Sequence, residues 1–192
     1  LALEYGVEMG VDDTVAQDVS RFFDAEVVAA KLAQRKLLLG HELRVASAIF
    51  NTSTFTATNS GTAYTTGNLA TFDVGADVQE AIDRLLAKGE GTSNLRVVMS
   101  APVWTRIRAS TKFQNRLRGA GLSSDTILNA STQAAAEVFG VSEVLIGRAS
   151  YDSAPEGIAF SSSNVWSNAY IWVGSVTESS TGFFGGGAGF TL

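Results

Sequence analysis

The 192 residues carry 14 basic and 19 acidic side chains, one histidine and no cysteine, for a net charge of −5. A chain of this length buries roughly 70% of its unfolded surface, enough for one sound core or two small lobes. The lack of cysteine excludes a thiol nucleophile and a thiolate metal site, and a lone His41 excludes a multi-histidine site.

Residues 1–11 alternate apolar and polar at Leu3, Tyr5, Val7, Met9 and Val11, with Glu4 and Glu8 between, and predict a strand or extended arm. Leu1 stands where a methionine would open a nascent chain, which gives the expectation of a trimmed product or fragment. Residues 13–50 read as one long spine helix with Asp12 or Asp13 as its cap. Val15, Val19, Phe22, Ala29, Ala33, Leu37 and Ile49 predict a dry face, opposite Asp18, Arg21, Asp24, Lys31, Arg35 and Lys36. Unbroken, such a helix spans on the order of 50 Å, with Gly40 as the place for a kink.

Residues 51–71 are rich in Thr, Ser, Asn and Gly and predict a loop with at most one short strand. Helical period returns over 74–88, with Val78, Ile82, Leu85 and Leu86 on one side and Gly89 as a stop. A strand follows over 95–99, then a helix opened by Pro102 and running through Ile107. Residues 132–139 predict a helix ended by Gly140, and 144–146 a strand. Strands are expected over 157–160 and 169–173, joined by a polar turn at 161–164, with Trp166, Tyr170 and Trp172 adding buried or interfacial area. Residues 182–192 are glycine-rich and without period. This order of strands and helices predicts an α+β or α/β lobe around a small sheet. No run of about 18 apolar residues occurs, so no transmembrane helix is expected, and the start lacks the basic-then-apolar order of a signal peptide.

Acids gather early, at Glu4, Glu8, Asp12, Asp13, Asp18, Asp24 and Glu26, and bases in the middle, at Arg106, Arg108, Lys112, Arg116 and Arg118. One reading is complementarity between neighbouring copies, which makes Glu4, Glu8 and the five bases candidate inter-subunit contacts. The others are solvated faces and a phosphate-facing patch. No catalytic, cofactor or metal site is expected. His41 and Glu42 are helical neighbours pointing apart, Asp73 with Asp77 and Asp152 with Glu156 lack the ligand number of a calcium loop, Gly185 to Gly189 lacks the lysine of a phosphate loop, and Ser100 has no flanking glycines.

The helix ending His41-Glu42-Leu43-Arg44, the Thr-rich stretch, Val78-Gln79-Glu80-Ala81-Ile82, and Asn94-Leu95-Arg96-Val97-Val98-Met99-Ser100-Ala101-Pro102-Val103-Trp104 together resemble the major capsid proteins of tailed bacteriophages. Ala135-Ala136-Glu137-Val138-Phe139-Gly140-Val141-Ser142-Glu143-Val144-Leu145-Ile146-Gly147 and Tyr151 extend the resemblance over most of the chain.

The resemblance implies the α+β Johnson, or Hong Kong phage, fold. Residues 1–12 would be the end of an extended loop or arm, 13–60 the start of a peripheral domain with the spine helix, 61–174 an axial domain and 175–192 a return segment. The chain would be truncated at both ends. It further implies a virion shell assembled in the host cytoplasm from pentamers and hexamers, with packaged DNA inside and a scaffold or maturation protease as partners. Crosslinking from an extended-loop lysine is not expected, since no lysine precedes Lys31. An encapsulin-like nanocompartment shell is the alternative, marked by copurification of a peptide-tagged enzyme cargo, and a small α+β enzyme or ligand-binding domain is the third reading.

Overall fold

The computed structural model describes residues 5–14, 24–51, 53–55, 62–88, 94–121, 131–155, 157–176 and 189–191. The chain divides into two units, Leu1–Val45 and Ala46–Leu192. Glu4, most of the early spine (Val15, Asp18, Val19, Arg21, Phe22), Gly89, Glu156 and Gly185 to Gly187 lie outside the described residues.

The spine is shorter than its pattern predicts. Helix α1 covers Ala25–Ile49, about 37 Å at 1.5 Å per residue. Asp24 is not helical, and its Oδ1 accepts from the amides of Glu26 at 3.0 Å and Val27 at 3.2 Å. That carboxylate starts a fresh helix by satisfying amides that have no carbonyl before them. Asp13 and Thr14 are helical, as expected of a helix start there, and Asp12 Oδ1 accepts from Thr14 N at 2.8 Å. Gly40 lies inside α1 and interrupts nothing.

The single dry face also fails. Val27, Val28, Leu32, Leu37 and Leu38 are 39–61% exposed. At 100° per residue Val27 and Leu38 share one side, Val28 and Leu32 a second, and Leu37 the opposite one. None of the described residues up to Val45 is buried. The leading segment is nonetheless held, since the Arg44 guanidinium sits 3.7 Å from the centre of the Tyr5 ring.

The second unit is a mixed α+β lobe. Its four-stranded sheet runs β2-β1-β5-β6, with β1 Leu95–Ser100, β2 Glu143–Gly147, β5 Trp172–Ser175 and β6 Gly189–Thr191. β1 and β2 are parallel, and the other two pairings are antiparallel. A parallel pair needs a crossover, which α3 (Ala101–Ala109), α4 (Thr111–Gly119) and α5 (Thr132–Phe139) supply, while α2 (Val74–Ala87) precedes the sheet.

Caps explain these bounds. Asp73 accepts from Ala76 N, Ser131 accepts from Ala134 N, and Gly140 closes α5 at φ 69°. Ser110 ends α3 and caps α4 by accepting from Phe113 N, which is why a second helix, not foreseen from the pattern, starts where the first stops.

Leu95, Val97 and Met99 of β1 turn to a core that includes Val78, Leu85, Ile107, Phe113, Leu117 and Phe139. Phe113 meets Phe139 at 5.5 Å and Trp104 edge-on at 6.0 Å between centroids. Leu86, expected on the dry side of α2, is 51% exposed; three residues of α2 per two turns suffice to cover the sheet. On the other parity of the sheet Val98 pairs with Trp172, against whose ring Phe55 packs edge-on at 5.8 Å.

The strand expected over 157–160 does not form. The polar residues predicted as a turn are themselves β4 (Ser162–Asn164), paired with β3 (Ser150–Asp152). Asp152 Oδ1 accepts from the amides of Ala154 and Ser161, both at 3.0 Å, and Ser153 Oγ donates to Ser161 O at 3.0 Å. Side-chain bonds, not an apolar face, set this hairpin, so hydrophobic alternation does not reveal it. The strand expected over 169–173 forms at Trp172–Ser175, where its partners β1 and β6 lie.

Candidate functional site

The five bases singled out above sit on the consecutive helices α3 and α4, and much of their bonding capacity is used within the second unit. Arg106 donates to Tyr64 O at 3.1 Å and Asn168 O at 3.0 Å, tying two loops to α3. The Arg108 guanidinium lies 5.6 Å from the Trp104 ring centre, with a buried Nε that has no hydrogen-bond partner. Arg116 donates from Nε (3.2 Å) and Nη2 (3.1 Å) to Asp73, and Arg118 donates to Asn115 at 3.1 Å. Lys112 is exposed and lends its positive field to Asp73 and Asp77. Glu8 is exposed in the other unit.

Two carboxylates beside these bases shift in opposite directions. Burial pushes Asp73 up, but hydrogen bonds from Arg116 and the Ala76 amide, with the charges of Arg116 and Lys112, outweigh it and the net shift is downward. Asp77 is pushed up by burial and by the charges of Asp73 and Glu80, against the Tyr64 hydroxyl that donates to it at 2.8 Å. The Arg116 side chain lies across the start of α2, where a Cβ on Gly75 would stand 2.7 Å from Nε. This set clamps α2 to α4 and to the loop carrying Tyr64.

A second clamp closes the far end of the sheet. A Cβ on Gly147 would lie 2.1 Å from Trp166 Cδ1, and Phe50 packs edge-on to Trp166 at 6.2 Å. Ser100 is 1% exposed and its hydroxyl bonds Asn168 Oδ1 at 3.3 Å, which also accepts from Asn164 Nδ2 at 3.1 Å. Tyr64, Asn164, Asn168 and Trp166 hold these clamps. Sequence reasoning took Trp166 only as buried or interfacial area and missed the other three, because Asp77, Arg106, Ser100 and Gly147, which this set of residues meets, lie far along the chain and leave no local spacing.

Shallow cavities among the described residues include two that each offer one carboxylate. One of about 160 Å³ is lined by Ala120, Ala134, Glu137 and Val138. The other, of about 150 Å³, is lined by Thr132, Gln133, Ala136, Ser142, Glu143 and Val144. Neither joins a nucleophile to a base, the first geometric demand of covalent or general-base chemistry. Among the described residues no three His, Cys, Asp or Glu side chains gather as a metal site, and no helix is long and apolar enough to cross a membrane.

No family model and no curated protein matches the chain. Among solved structures, it is similar to a phage-related protein from Bordetella bronchiseptica, with a TM-score of 0.60 and 18% identity over 88% of this chain. The chain spans 53% of that structure's length. The likeness is one of fold.

Proposed function

We propose that this chain is a structural subunit of an icosahedral virus capsid of the Johnson fold, working by repeated contact with copies of itself around the packaged genome and performing no chemistry. One observation carries the reading: the described part of the first unit carries apolar side chains on several sides of α1 and buries none of them. A helix with that distribution is stable when covered from more than one direction, and covering a single leucine stabilises by about 1.5–3 kcal/mol. A shell subunit, whose faces are buried again around each symmetry axis, provides such cover.

The fold likeness to a phage-related protein supports the same reading, as does the order of elements from α1 through the sheet-centred lobe. The test is electron microscopy of the full-length protein expressed with its scaffold. Closed shells are expected, and monodisperse monomers under every condition would overturn the proposal.

A further inference from the structure

Strand β2 forms one edge of the four-stranded sheet. In a parallel ladder alternate residues serve the same neighbour. Asn94 O accepts from Val176 N on the β5 side, so Leu95, Val97 and Met99 face β2, and the register from Arg96↔Glu143 to Ser100↔Gly147 sets Glu143, Leu145 and Gly147 against them, while Val144 and Ile146 turn their backbone groups outward. Leu145 is 39% exposed. Just past the strand, Arg148 is exposed and has no ion-pair partner among the described residues. An edge of this kind accepts another strand through main-chain hydrogen bonds.

The chain also carries a strand-patterned segment without a sheet. Tyr5, Val7, Met9 and Val11 alternate with Gly6, Glu8 and Gly10, yet residues 5–12 belong to no strand. Tyr5 is 53% and Val7 41% exposed. Gly6 and Gly10 do not take positive φ and a Cβ on either would meet nothing, so the segment has one slim face around a single carboxylate, Glu8.

Resting on the self-assembly reading above, we propose that residues 5–11 of one copy add to the β2 edge of another copy as a fifth strand, with Glu8 meeting Arg148. Charge favours this edge over the opposite one, because β6 lies in a stretch, 182–192, without a charged residue.

The absence of cysteine makes the test clean. A Val7→Cys chain is mixed with a Glu143→Cys or Leu145→Cys chain and oxidised, and mass spectrometry identifies the linked peptides. A disulfide requires Cα atoms within about 7 Å, so strand addition is expected to raise one of these links at least tenfold over a Val7→Cys plus Arg118→Cys control. In otherwise unaltered Val7→Cys and Leu145→Cys chains, Arg148→Glu should lower the link severalfold and adding Glu8→Arg should restore it. Links no stronger than the control overturn the proposal. Shell formation by the cysteine-free parent is scored separately: shells without the link overturn strand addition alone, and the link without shells overturns the capsid reading alone.

Discussion

Helices α1 and α4 teach opposite lessons about what an apolar residue does. The nine residues of α4 bury Phe113 and Leu117 completely, four apart and so on one face. The 25 residues of α1 bury Ala46 alone, although the helix carries many more apolar side chains. In α4 the spacing matches one neighbour, the core against β1; in α1 apolar side chains point several ways at once, and none of the described residues up to Val45 is buried.

The sharpest way to break this comparison is truncation on both sides. Phe113→Ala should cost about 3–5 kcal/mol in urea unfolding, while Leu38→Ala, at a position 61% exposed, should stay within about 0.5 kcal/mol. Equal losses would mean that α1 has intramolecular cover after all.

Next in size is Gly147→Ala. With Trp166 Cδ1 only 2.1 Å from the new Cβ, overpacking should cost about 1–3 kcal/mol. A double-mutant cycle with Trp166→Leu should recover part of it, and strict additivity would show that the contact does not govern the strand end.

Smaller is Arg116→Ala. Its side chain is 41% exposed, and the pair with Asp73 is screened accordingly, so about 0.5–1 kcal/mol is expected in low salt and less at 1 M. The sign with pH follows from the downward shift of Asp73: the pair's contribution is complete above the ordinary carboxylate value and fades as pH falls through the lowered native one. The penalty of the substitution should therefore shrink in acid, as read from unfolding midpoints at pH 7 and pH 3.

Asp77→Asn should have the least effect and the opposite sense. The raised value means the native state holds its proton more readily, so wild-type stability from this group grows as pH falls. An asparagine can still accept from Tyr64 while removing the charge beside Asp73. A slight gain in midpoint at neutral pH is expected, vanishing below the raised Asp77 value; a loss at pH 7 would mean that the ionised form matters to the clamp.

What could be read from the amino-acid order is what local chemistry settles. The bounds of α5 follow from Ser131 and Gly140, which satisfy the helix ends from within a few residues. The core strand β1 is legible because a central strand is apolar almost throughout. The same locality misled at the spine, where helical period runs on through Asp24 although that carboxylate serves as the cap of a new helix.

Tertiary structure alone decided the rest. Ser162–Asn164 became a strand through partners ten and more residues away, Gly189–Thr191 through β5, and Arg106 found carbonyls at Tyr64 and Asn168. Spacing along a chain reports which side chains share a face, but not which distant polar group will face them. Hydrogen bonds and ion pairs are short-ranged and directional, so their partners exist only once the core has brought separated segments together.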